Sequence, residues 1–244
     1  MKRFLSWSSG KDAAFALFKL QNEGVEVEEL SVNISQNYQR VSMHGLRKEL
    51  LLQQLKQVNI PVEIIELPSF PNAAQYELTM GKHYHDLYDK GFRLAVYGDI
   101  FLEDIKNFRQ SLLSKYGLKA SFPLWGMKSE TIVNELLDNG FKSIIISADA
   151  KKVPQEFVGE TLSRELIKDL PEGIDPCGEN GEFHTFCYDA PIFENKVEFK
   201  KGELITKCLT SPLKTSNPDE LEMPFHYLDL LPKEGVTKSK EINA

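Results

Sequence analysis

Short apolar runs alternate with longer segments of helical period along the first part of this chain, and no other feature constrains its fold as strongly. Strands are read at 3–7, 27–34, 61–66, 94–98 and 143–148, and helices at 12–22, 44–58, 73–90, 104–116 and 128–139. Gly24, Gly91, Gly117 and Gly140 each stand just past a helical segment, where a left-handed residue closes a helix. Such alternation predicts βαβ units and an α/β fold: a doubly wound, mostly parallel sheet with helices on both faces.

After about residue 150 the pattern changes. Gly and Pro become dense in "LPEGIDPCGENGEFHTF", and "KVEFKKGELITKCL" alternates as an antiparallel strand would. A smaller α+β region is expected there, with "GLKASFPLWG" (117–126) as a hinge. The expected division is 1–121, 122–232 and a fraying tail at 233–244 with almost nothing to bury.

Composition narrows the class of function. The net charge is −7 over 244 residues, with no dense block of Lys or Arg. A protein that binds by neutralising phosphates would carry such a block, so no nucleic-acid partner is expected. No stretch approaches the roughly 20 apolar residues that span a bilayer, and the apolar run after Lys2 and Arg3 is too short for a signal peptide. Cys177, Cys187 and Cys208 lack zinc-type spacing and read as reduced thiols of a cytoplasmic protein.

In an open parallel sheet, ligands bind beyond the carboxyl ends of the strands. The stretch Ser8-Ser9-Gly10-Lys11-Asp12 occupies such a position between the first strand and first helix. Gly10 allows close backbone approach, the helix directs its dipole at the loop, and two hydroxyls and an ammonium complete a site suited to phosphate. Asp12 either helps hold Mg²⁺ or stabilises the helix N-terminus; the plainer alternative for the whole loop is a serine N-cap. The Walker A pattern is not met, because Leu5 stands where its first glycine belongs.

A second constellation lies at 175–193, "DPCGENGEFHTFCYDAPIF". Gly178 and Gly181 bracket Glu179 and Asn180, and Glu182 follows before a strand-like alternation. Two carboxylates in such a turn are costly if buried without partners; otherwise they are ordinary surface glutamates.

"SSGKDA" resembles the Ser-Gly-Gly-x-Asp-Ser loop of the PP-loop ATP pyrophosphatases, with Ser9 and Ala13 departing from it. "GENGEFHT" resembles the Gly-Glu-x-Gly-Glu-(Phe/Tyr)-x-Thr signature of the diphthine–ammonia ligase family within that superfamily. "RVSMHGLRKELL" (40–51), "YGDIFLEDIKNFR" (97–109) and "FPLWG" (122–126) agree in order, so the resemblance runs from residue 3 to about 200. It implies an adenine nucleotide alpha hydrolase-like fold and an amide-forming ligase. ATP with Mg²⁺ would activate a carboxylate as its adenylate, pyrophosphate would leave, and ammonia or another amine would attack. Asn180 and His184 depart from the family's usual Gly and Glu and are similar to a bacterial branch, where diphthamide is not made. The chemistry is therefore expected to carry over to a different acid, either a small molecule or protein-borne.

Residue roles follow as expectations. Ser8, Ser9, Gly10, Lys11 and Asp12 take the phosphates, and Asp12 contacts the metal. Asn33, in Val32-Asn33-Ile34, lies beside adenine. Gly98 and Asp99 follow the fourth strand, where Asp99 meets metal or ribose, or simply caps the next helix. His44 steadies developing phosphate charge, or is an exposed first-turn histidine. Glu179 and Glu182 collect ammonium and accept its proton, with His184 sharing that work. Cys177 is a buried structural thiol rather than a nucleophile, and "HYH" at 83–85 is no metal site, because helical residues two apart do not share a face. An ATP-binding sensor and a PP-loop tRNA-modifying enzyme are the competing readings; a homodimer is compatible with either.

Overall fold

The structure, a computed structural model, describes residues 1–68, 71–210 and 222–233, so the tail expected at 233–244 lies outside the described residues from 234 on. The first half of the chain runs β1 (Lys2–Ser6), α1 (Lys11–Asn22), β2 (Glu29–Ser35), β3 (Arg40–Val41), α2 (Lys48–Val58), β4 (Val62–Leu67) and α3 (Ala73–Asp89). It continues through β5 (Phe92–Val96), α4 (Glu103–Ser114), β6 (Lys119–Ser121) and α5 (Ser129–Asp138). The remainder holds β7 (Lys142–Asp149), α6 (Arg164–Asp169), β8 (Phe183–Asp189), β9 (Phe199–Thr210) and β10 (Glu222–Pro232).

Strands β4, β2, β1, β5 and β6 lie side by side and parallel, with the short β3 antiparallel on β2. Alternating side chains explain how both faces are covered. Phe4 joins a core with Tyr84, Leu87, Leu112 and Leu113 of α3 and α4. Leu5 joins the opposite core with Leu17 of α1 and Leu51 of α2, and that core continues into Ile144, Phe186 and Leu228 of the second sheet. Helix α1 buries Ala13 through Leu17 almost completely. An all-round apolar helix of this kind belongs between two layers, and its alanines let both sheets approach.

The second sheet is antiparallel, in the order β8-β7-β10-β9. The strand expected at 143–148 therefore belongs to this sheet as β7, not to the parallel one. An apolar run buried on both sides does not reveal which neighbours it pairs with. Gly24, Gly91, Gly117 and Gly140 all have positive φ at the expected helix ends. Helix α2, in contrast, begins at Lys48 rather than 44, because Met43 (φ 64°) and Gly45 (φ 75°) turn the backbone through left-handed conformations that no helix accommodates.

Candidate active site

The loop after β1 is held from beneath by a buried carboxamide. Trp7 Nε1–H donates to Gln54 Oε1 at 2.9 Å, while Gln54 Nε2 donates to the carbonyls of Ser9 (3.0 Å) and Cys187 (2.6 Å). The Cys187 N–H also donates to the Ser9 carbonyl, at 2.9 Å, so β8 is tied directly to the loop. Ser9 adopts φ 68°, the left-handed conformation that makes glycine usual at this position. The N-cap of α1 is Gly10, which provides no side-chain hydrogen bond, so the serine N-cap is not what this loop builds. A Cβ on Gly10 would stand 2.6 Å from His44 Cε1, and one on Gly98 would stand 2.8 Å from the Asp12 carbonyl carbon. Both glycines are packing requirements where separate loops meet.

Lys11 is buried; its N–H donates to Thr185 Oγ1 at 3.2 Å, and its Nζ donates to Asp12 Oδ2 at 3.0 Å and to the Cys177 carbonyl. Burial works against this ammonium, but its anionic neighbours, Asp12 foremost, outweigh it and hold the pKa above the usual lysine value. Burial raises the pKa of Asp12, which Lys11 offsets only in part, and Asp12 Oδ1 has no partner.

The turn before β8 splits the two glutamates. The Asp175 carboxylate accepts the N–H groups of Cys177 (3.1 Å) and Glu179 (2.9 Å), which shapes the turn. Gly178 (φ 69°) lets that turn press against Phe183, whose carbonyl would lie 2.7 Å from an added Cβ. Glu179 faces the Lys11–Asp12 pair, and its Oε1 accepts the Ile100 N–H at 2.7 Å. Burial, with Asp12 and Asp99 nearby, pushes its carboxyl up to about 7. Glu182 turns inward, 2% exposed, and its Oε1 accepts from the Asp175 N–H and from Asn180 Nδ2. Burial also pushes the Cys177 thiol well above its ordinary range, so it is no ready nucleophile.

The His44 and His184 rings lie tilted at 34° with centroids 4.9 Å apart. His44 Nδ1 lies 3.0 Å from the Thr185 carbonyl, an arrangement that places the proton on Nδ1. Burial lowers both pKa values, to about 4 for His44 and about 3 for His184, whose Nε2 is buried without a partner. Asp99 binds Arg109 of α4 (2.8 and 3.0 Å), and that guanidinium lies 4.2 Å from the centre of the Tyr97 ring. Asp99 does not cap α4, whose N-cap is Leu102.

One cavity of about 370 Å³ is lined by Ser8, Lys11, Asp12, Asn33, His44 and Gly98, and equally by Asp99, Glu179 and His184. Ser9, Gly10 and Glu182 lie outside its lining; the first two shape the loop and the third supports the turn.

The sequence matches two family models: the diphthamide synthase N-terminal domain over residues 1–120 and the diphthamide synthase C-terminal domain over 128–210. The chain belongs to the diphthamide synthase family. Diphthine–ammonia ligases of Mus musculus and Rattus norvegicus are each 25% identical, over 81% of this chain and 82% of theirs. That of Danio rerio is 25% identical over 81% of this chain and 86% of its own. A solved structure from Methanocaldococcus jannaschii, described as a predicted subunit of tRNA methyltransferase, is similar over 81% of this chain at 14% identity and a TM-score of 0.41, too distant to bear on function. Membership of the diphthamide synthase family supports an ATP-dependent, amide-forming ligase within the PP-loop superfamily. Among the described residues, no helix is long and apolar enough to cross a membrane.

The diphthamide synthase motifs also contain residues that the sequence reading passed over. Thr185 closes the signature at 178–185 and bonds both Lys11 and His44. Arg109 ends "YGDIFLEDIKNFR" and pairs with Asp99. Gln54 lies in mid-helix and carried no signal, since only packing brings its amide to three partners.

The site fits a nucleotide phosphate group. Asp12 Oδ1 and His184 Nε2, both from lining residues, are buried polar atoms with no partner, and the α1 N-terminus opens at Gly10 without a capping side chain. Among the described residues, no group of three His, Cys, Asp or Glu side chains could hold a metal ion. Mg²⁺ commonly takes one or two carboxylates plus phosphate oxygens, which a single Asp12 would satisfy.

Proposed function

We propose that the chain uses ATP and Mg²⁺ to adenylate a carboxylic acid, releasing pyrophosphate, and then transfers ammonia or another amine to the acyl group, releasing AMP. The single observation that supports this most is that Asp12 and Glu179, from the two distant motifs, line one cavity together with Lys11. Ser8 and the α1 N-terminus hold the phosphates on a loop that Ser9 and Gly10 shape, and Lys11 supplies a fixed positive charge where negative charge gathers as pyrophosphate leaves. Bound Mg²⁺ would add charge stabilisation there, held through Asp12. Asn33 at the end of β2 neighbours the adenine, and Gly98 keeps the β5 end close enough to the loop for Asp99 to reach the ribose.

Glu179 carries the second half-reaction. Ammonium cannot attack until it loses a proton, and a carboxyl poised near 7 both attracts the cation and accepts that proton. Glu182 becomes a positioning residue for the turn. The neutral imidazoles of His44 and His184 offer acceptors beside the same space. The departures at Ser9 and Ala13 would favour an ATP-binding sensor, but Ser9 holds the left-handed conformation despite its side chain, so the loop keeps its course.

The test is pyrophosphate release from ATP and Mg²⁺ with a panel of carboxylic acids and ammonium, for wild type and Asp12→Ala. Acid-dependent pyrophosphate, reduced at least a hundredfold in the variant, is expected. Tight ATP binding with no acid-dependent pyrophosphate, or release of ADP and phosphate, would overturn the reading.

A further inference from the structure

A second cavity, of about 320 Å³, opens beside the first. Its apolar wall comes from both sheets: Tyr38, Val41 and Met43 from the segment after β2, and Ile205, Tyr227 and Leu228 from β9 and β10. Val41, Ser42 and Met43 line both cavities, so only that stretch of chain separates them. Met43 is 67% exposed and sits at φ 64°. Gly45 (φ 75°) brings the same segment against the Tyr227 ring, 3.2 Å from where a Cβ would be.

Charge around this second cavity is biased. Arg40 and Arg47 both bind the one carboxylate of Asp229, at 2.7 to 2.9 Å. Lys207, also in the lining, has no carboxylate partner among the described residues. Cations therefore outnumber anions around an apolar space adjoining the Lys11–Asp12 site. A pocket of this kind, apolar with a few polar groups, suits a small ligand.

Resting on the ligase reading above, we propose that this second cavity binds the acid to be activated: a small carboxylic acid with an apolar, aromatic-sized body. Tyr38, Ile205, Tyr227 and Leu228 enclose the body, the surplus positive charge of Arg40 and Lys207 draws in the anion, and the 41–43 segment is where the carboxylate crosses to the nucleotide.

The probes are 3-phenylpropionate and its neutral amide, with binding measured by NMR on the full chain, alongside affinity for a non-hydrolysable ATP analogue. Ile205→Trp fills the cavity from β9 without touching the nucleotide space, and the exposed Lys207→Ala serves should the first variant fold poorly. The expected result has three parts: the acid binds wild type more tightly than the amide, Ile205→Trp weakens it at least tenfold, and Lys207→Ala weakens it about threefold. Affinity for the ATP analogue should stay within twofold throughout. The proposal is overturned if the acid fails to bind, if both variants leave its binding unchanged, or if Ile205→Trp instead costs tenfold in nucleotide affinity. A peptide-borne acid that binds where the free acid does not also overturns it. Acid binding without any acid-dependent pyrophosphate would sink the ligase reading and leave this pocket standing.

Discussion

The side-chain amide of Gln54 donates to the Ser9 carbonyl at 3.0 Å, fixing the loop after β1 from the helix beneath it. The same amide bonds Cys187, and its oxygen accepts from Trp7, so one buried residue joins the first sheet, the loop and the second sheet. Replacing Gln54 with Leu would strand the Trp7 indole N–H and the Cys187 carbonyl. We expect a loss of roughly 2–6 kcal/mol in urea unfolding, at one to three per stranded group. A loss below about 0.5 kcal/mol would show that the clamp contributes little.

Ser9 combines a left-handed backbone with a buried hydroxyl that meets no partner. Ser9→Ala keeps the backbone and removes only the hydroxyl, so stability should change by less than about 0.5 kcal/mol. ATP affinity should stay within about threefold, because the hydroxyl lies outside the cavity lining and only the backbone of Ser9 shapes the loop. Ser9→Gly should be neutral to stabilising by up to about 1 kcal/mol, as relief of strain is partly offset by unfolded-chain entropy. Calorimetric titration with ATP and thermal unfolding check the two together.

Glu179→Gln should separate the two half-reactions. Exchange of pyrophosphate into ATP, which needs only adenylation, should stay within severalfold of wild type. Amide formation should drop by about 10²–10⁴, the usual worth of a general base. Because the base is the deprotonated carboxylate, wild-type amide formation should rise with pH through about 7. The variant should instead rise only as the fraction of free ammonia does, with no inflection near 7. An unaltered pH profile would remove Glu179 from the proton transfer.

His44 and His184 bear on acid stability. Their folded pKa values, about 4 and about 3, lie below the ordinary value of 6.5, so the unfolded chain binds protons that the folded one does not. Their contribution is complete above about pH 6.5 and is lost as pH falls toward 4, by up to about 2 kcal/mol each at pH 5. The stability of His184→Gln should therefore decline less than that of wild type between pH 7 and pH 5 in urea titrations. Equal declines would mean that His184 is protonated in the folded state.

The local pattern was legible. Apolar alternation located four of the five parallel strands and missed the three-residue β6 inside the expected 117–126 hinge, glycines marked the helix ends, and the residues at 8–12 and 175–186 contribute to one candidate site. These features depend on spacing and backbone conformation within a few residues, which a sequence carries directly. Tertiary structure decided what depends on distant neighbours. It placed 143–148 in the antiparallel sheet, started α2 at Lys48, and paired Asp99 with Arg109. It also separated Glu179, raised to about 7 beside Asp12 and Asp99, from Glu182, turned inward under Asn180. Two glutamates three residues apart look alike in sequence; burial and the charges that surround each are set only when the second sheet closes over the loop.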